Sequence, residues 1–234
     1  MKRCFTLGRY SIVSLIAVVL TGCAHDLEVR NIVNYQSVTI APPQANTRMG
    51  IIPTTTDVHS ELLIKQIGIE LGNYLPEVLL PYSRRSARSV DVIAQILVKP
   101  KYKGSGWNFL IEWPGFLIWT PAWHGYVYRV YYDIEISLMD ASDSKVIDTL
   151  QLPIYLNVRH ADMSRTWTEI SWLEVSAIAF VSAFVFIGYD DDVSAILLQK
   201  YKTTLGDYVA QKIMESLDAN LVPQVIGSKP PPGP

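Results

Sequence analysis

Residues 126–158 constrain the fold more than any other stretch of this 234-residue chain. Tyr126, Tyr128, Val130, Tyr132, Ile134, Ile136 and Leu138 alternate with Arg129, Asp133, Glu135 and Ser137. Successive side chains of a strand point to opposite faces, so this period of two predicts a strand from Tyr126 to Met139 with one buried face. Val146 to Val158 repeats the pattern with Leu150, Leu152, Ile154, Leu156 and Val158. Asp140-Ala141-Ser142-Asp143 between them has turn chemistry. A long antiparallel hairpin is expected. Its apolar face needs a cover from elsewhere in the chain.

Two helical patterns supply that cover. From Val58 to Val78, Leu63, Ile67, Leu71, Tyr74, Leu75 and Val78 recur at three- and four-residue steps. Asp57 or Ser60 can cap this helix, and Pro76 and Pro81 bring it to an end. From Val193 to Leu221 a second stripe holds Leu198, Tyr201, Leu205, Tyr208, Val209, Ile213 and Leu217. Asp190, Asp191 and Asp192 precede it, where carboxylates complement the helix dipole. Further strands are expected at Gln36–Ala41 and Val90–Lys99, and residues 44–56 read as a polar, turn-rich loop. The order β-α-β-β-β-α predicts an α+β fold, an antiparallel sheet with helices packed on one face.

The N-terminus is an address. Lys2, Arg3 and Arg9 form a basic region, and Ile12–Leu20 an apolar run far shorter than the roughly 20 residues of a spanning helix. It ends in Leu20-Thr21-Gly22-Cys23, which resembles the lipobox of bacterial lipoproteins. The resemblance implies that residues 1–22 are a cleaved signal peptide. It also implies that Cys23 becomes the first residue and carries diacylglycerol and an N-acyl chain. In lipoproteins of enterobacterial type an Asp after the cysteine favours the inner membrane. Here Ala24 follows, which implies the periplasmic face of the outer membrane. Residues 23–35 then read as a lipidated tether, 36–222 as a single periplasmic domain and 223–234 as a disordered, proline-rich tail. The element order is similar to envelope domains of the TolB N-terminal and curli-secretion-lipoprotein type.

Charge and cysteine usage narrow the function classes. The whole chain has 20 basic and 22 acidic residues, which gives no bulk electrostatic case for nucleic-acid binding. With the signal removed the net charge is −5. Cys4 leaves with the signal and Cys23 is taken by lipid, so no thiol remains for a disulfide, a redox cycle or a metal. His25, His59, His124 and His160 share no metal-ligand spacing. No Walker loop, G-x-S-x-G or G-x-G-x-x-G is present. His160, Asp162 and Ser164 are close in sequence, which is not triad geometry. Asp190–Asp192 and the basic run Arg84, Arg85 and Arg88 read as a helix start and a solvated loop. No catalytic residue, metal or cofactor is expected beyond the covalent lipid.

Two apolar insertions hold the functional signal. Trp107–Trp123 contains Trp107, Trp113, Trp119 and Trp123, four of the six tryptophans, and Glu112 as its only charge. Pro114 and Pro121 forbid one continuous helix. Lys99, Lys101 and Lys103 precede it. Three readings stand: a membrane surface, a partner or oligomer contact, and a loop over the domain's own core. Val175–Tyr189 carries no charge across 15 residues. As a helix it would span about 22 Å, short of the bilayer core of roughly 30 Å. Phe180 and Phe184 would be bulky positions, with Ser176, Ala179 and Ala183 as a small-residue stripe. It reads as a buried helix, with subunit contact and membrane insertion as alternatives.

The expected protein is a non-enzymatic outer-membrane lipoprotein, an assembly or scaffold component of an envelope complex with a protein partner or further copies of itself. Trp107, Trp113, Trp119, Trp123, Phe180 and Phe184 are its expected interaction residues. The alternative is a lipoprotein that binds lipid or another apolar ligand between the insertions.

Overall fold

The computed structural model describes residues 27–36, 46–55, 57–86, 88–112, 125–161, 180–181 and 183–221. In chain order the elements are β1 (Leu27–Val29), β2 (Arg48–Pro53), α1 (Val58–Leu71), β3 (Glu77–Leu79), β4 (Val92–Lys103), α2 (Trp107–Glu112), β5 (Tyr126–Asp140), β6 (Val146–His160) and α3 (Asp192–Leu221). The fold is α+β, with a six-stranded sheet in the order β1-β6-β5-β4-β2-β3.

The hairpin predicted from the alternation is present as β5 and β6. The alternating residues Tyr126 to Leu138 are all fully buried, as are Leu156 and Val158. The backbone N–H of Asp140 donates to the Lys145 carbonyl at 2.9 Å, and Ser144 takes φ of 62° to close the turn. The α+β class stands, and the antiparallel sheet expected from the sequence is corrected to a mixed one. β2 runs parallel to both β3 and β4, with Met49 opposite Val78 and Val92. β2 lies between two parallel neighbours and is buried in its middle, so its Met-Gly-Ile-Ile run does not alternate. That is why residues 44–56 read as a loop. α1 is the connection from β2 to the parallel β3.

Helix α1 starts as predicted and stops early. The Asp57 carboxylate accepts the Ser60 N–H at 2.9 Å and its hydroxyl at 2.7 Å, so the two candidate caps act together. The helix ends at Leu71 rather than Val78. Past Gly72 the Asn73 and Tyr74 N–H groups donate three residues back, to Glu70 and Leu71, in tightening turns, and the residue before Pro76 disfavours a further helical turn. Val78 therefore belongs to β3.

Contacts divide the chain into two compact units, where a single domain over 36–222 was expected. One comprises residues 31–101, 130–156 and 191–234. Its core packs α1 and α3 together, with Leu63, Ile67, Leu205, Val209 and Ile213 fully buried. A Cβ at Gly206 would lie 2.8 Å from Gln66 Cγ and 3.3 Å from its backbone carbon, so the helices cross at a glycine. Tyr35, expected in the tether, packs edge-to-face on Tyr208 at 5.2 Å and exchanges hydrogen bonds with the Tyr155 backbone.

The other unit comprises residues 1–30, 102–129 and 157–190. Residues 27–29, also assigned to the tether by sequence, are strand β1. Leu27 is opposite His160 and Val29 opposite Val158, and both Leu27 and Val29 are buried. Two apolar side chains in three residues are too short a pattern to read as a strand without its partner. The strand expected at 36–41 lies outside the described residues beyond Gln36, which closes a 3-10 turn over Ile32–Tyr35.

Candidate contact surface

The surface lies in the second unit, on the described parts of both apolar insertions. α2 is oriented by Asn108, which is fully buried. Its Oδ1 accepts the Val127 N–H at 2.7 Å and its Nδ2 donates to the Val127 carbonyl at 3.1 Å. This pair satisfies a backbone donor and acceptor at the start of β5. With Asn108 turned inward, Trp107 and Leu110 are left 60% and 50% exposed, and Phe109 is half-buried.

The second insertion is held by a matching anchor. Phe186 is fully buried and stacks on Tyr126 with ring centroids 5.3 Å apart. Tyr189 packs on Tyr102 and Tyr128 at 4.7 and 5.4 Å. Gly104 lies so close to the backbone of Ile187 and Gly188 that a Cβ there would strike both. The buried helix expected over 175–189 is corrected for the described residues. Phe180 and Val181 are helical, and Val185–Ile187 is a 3-10 turn. Ala183 is buried, as a small-residue position should be, but Phe180 and Phe184 are 43% and 55% exposed. The short 3-10 turn changes the side-chain period, so Phe186 goes in where Phe184, just before the turn, goes out.

The two insertions meet through rings. Phe109 contacts Phe180 at 5.5 Å and Phe184 at 5.0 Å, and Phe180 meets Phe184 at 5.4 Å. Such pairs add about 0.5–1.5 kcal/mol beyond burial, enough to hold the surface together while it stays exposed. Val181 and Val185 extend it. Of the residues singled out by sequence, Trp107, Phe180 and Phe184 are on this surface. Trp113, Trp119, Trp123 and Cys23 lie outside the described residues. Phe109, Leu110, Val181 and Val185 were missed, although Phe109 stands inside the predicted insertion and is the residue that joins the two.

Several polar groups among the described residues make structural contacts. Among the described residues no three His, Cys, Asp or Glu side chains gather as a metal site. His160 is the buried last residue of β6, and Asp162 and Ser164 lie outside the described residues. Arg84 donates to Ser144 at 2.9 Å, and Arg88 lies 3.7 Å from Glu77. The Arg48 guanidinium hydrogen-bonds Asp91 through two nitrogens and holds that carboxyl below its ordinary range. Burial raises the Tyr74 phenol, with the Asp207 carboxylate accepting its hydroxyl at 3.0 Å. Among the described residues no helix is long and apolar enough to cross a membrane.

No family model matches the sequence, and no curated protein does. Among solved structures the chain is similar to a minor lipoprotein from Acinetobacter baumannii, with 11% identity, 75% of this chain and 95% of that one covered, and a TM-score of 0.38. It is similar to the rare lipoprotein B from Shewanella oneidensis, with 11% identity, 74% and 98% covered, and a TM-score of 0.36. It is also similar to the PelC dodecamer from Paraburkholderia phytofirmans, with 11% identity, 77% and 97% covered, and a TM-score of 0.29.

Proposed function

We propose that this chain is a non-enzymatic outer-membrane lipoprotein, acylated at Cys23 and facing the periplasm, that serves as an assembly component of an envelope complex. The observation that carries this reading is the aromatic contact surface of Trp107, Phe109, Phe180 and Phe184, in which Phe109 is half-buried and the other three are exposed. None of these side chains titrates, so the surface offers contact area rather than acid–base or nucleophilic chemistry. The anchor rests on Leu20-Thr21-Gly22-Cys23, since several acyl chains hold a protein on a membrane where one would not.

The test is a pull-down from detergent-solubilised envelopes with the native leader and Cys23 intact, together with palmitate labelling. Incorporation of palmitate that Cys23→Ser abolishes, and recovery of a protein partner or a ring of identical chains, are expected. A chain that takes up no palmitate, or that comes down alone, refutes the corresponding half. Native mass spectrometry separates the alternative: one chain with a co-purified apolar molecule would make this a carrier for lipid rather than an assembly component.

A further inference from the structure

The aromatic surface and β1, the first described strand after Cys23, belong to the same unit. Only Ala24, His25 and Asp26 separate Cys23 from Leu27, the first residue of β1. Four residue steps reach at most about 14 Å when fully extended. A Cys23 carrying acyl chains therefore keeps Leu27 within that distance of the headgroups.

Leu27 is fixed to the sheet opposite His160. The hairpin turn at Asp140–Lys145 and the Tyr131–Tyr155 ring contact at 4.9 Å set the register of β6 on β5. Carried back along both strands, that register brings His160 beside the start of β5 at Tyr126. Two strand spacings, roughly 10 Å, separate β1 from β5. Tyr126 stacks on Phe186, two residues after Phe184, and the next residue, Val127, is held by Asn108 between Trp107 and Phe109. From Leu27 onward each step is a strand pairing, a hydrogen bond or a ring stack, so β1 and the surface are held in one unit.

We infer that the surface formed by Trp107, Phe109, Leu110, Phe180 and Phe184 rests in the interface of the bilayer that holds Cys23. The proposal rests on the acylation proposed above and gives this surface to lipid, so that contacts with partner chains fall on other faces of the protein. A surface tethered this closely meets the membrane at high effective concentration, so even a weak lipid contact is populated. Its chemistry suits that place: phenylalanine and leucine supply apolar area, and tryptophan prefers the headgroup level. Lys103, exposed at the end of β4, can reach the phosphates from the same unit. The contact would orient the protein on the membrane rather than anchor it.

The native lipoprotein gives a direct test because its mature chain has no free thiol once Cys23 is acylated. Single variants Phe184→Cys and Val181→Cys, with Leu62→Cys and Val146→Cys as exposed controls on α1 and β6, are labelled with an environment-sensitive nitrobenzoxadiazole. Each is reconstituted into vesicles of phosphatidylethanolamine and phosphatidylglycerol, with and without doxyl-labelled lipid. Labels at 184 and 181 should shift to the blue and lose the greater part of their emission to the doxyl group, while labels at 62 and 146 keep theirs. Emission at 184 and 181 that matches position 146 overturns the proposal. So does a blue-shifted but unquenched label, which would assign the surface to a protein contact. Labelling of the unsubstituted chain at Cys23 is a different failure: the acyl anchor is then absent, and the tether argument falls with it.

Discussion

Asn108 shows how one buried polar side chain sets what its neighbours expose. It spends both ends of its amide on Val127, so Trp107 on one side cannot turn in without breaking those bonds. Asn108→Ala leaves a buried donor and acceptor without partners, and should cost about 2 kcal/mol in urea unfolding. Trp107→Ser, next to it but largely exposed, should change stability by no more than about 0.5 kcal/mol. A larger loss would mean that the indole is core. Asp91 gives a pH prediction. Its folded carboxyl titrates below the ordinary range because Arg48 grips it, so it adds stability above about pH 4. That contribution is lost as pH falls through the folded value. Both side chains are more than one-third exposed, so the effect is small and weakens with salt. Thermal melts between pH 2 and 6 should show a shallower acid limb for Asp91→Asn than for the natural chain.

At the scale of elements, the packing of α1 on α3 depends on the missing side chain at Gly206. Gly206→Leu should destabilise by about 1–3 kcal/mol, because Gln66 and its backbone occupy the space. Gly206→Ala should be nearly neutral, since the gain of about 1 kcal/mol in helix propensity offsets a small shift of Gln66. Chemical denaturation of the pair tests the close approach. The outer edge of β6 shows a different device. Among the described residues β1 covers only Val158–His160, leaving the earlier part of a 15-residue strand at the edge. Tyr155 directs its N–H and carbonyl outward to Tyr35, so the other odd positions face the same way. Pro153 has no N–H to offer there, and the Asp148 carboxylate accepts the Thr149 N–H at 2.7 Å. Proline and a charged side chain blunt the edge against pairing with another strand.

At the scale of the whole molecule, what was legible depended on pattern length. Alternation over Tyr126–Met139 and Val146–Val158 identifies β5 and β6, because nothing but a half-buried strand satisfies that period over such a span. α3 is nearly as plain, starting within one residue of where its stripe and acidic leader placed it. β1 and β2 were not legible: three and six residues carry too few periods, and the neighbours that bury them are distant in sequence. The parallel pairing of β2 belongs to topology, which composition does not record. The insertions were found by their lack of charge, but charge counting has no information on which side of a short helix faces outward. Asn108 and the 3-10 turn before Gly188 decide that, by fixing α2 on β5 and rotating Phe184 away from Phe186. The sequence by itself determined the hairpin, the two helices and the α+β class, since local period and order suffice for each. Only the tertiary structure decided that two insertions about 70 residues apart form one aromatic surface. Contacts at that separation are set by the sheet that brings their ends together, not by the residues of either insertion alone.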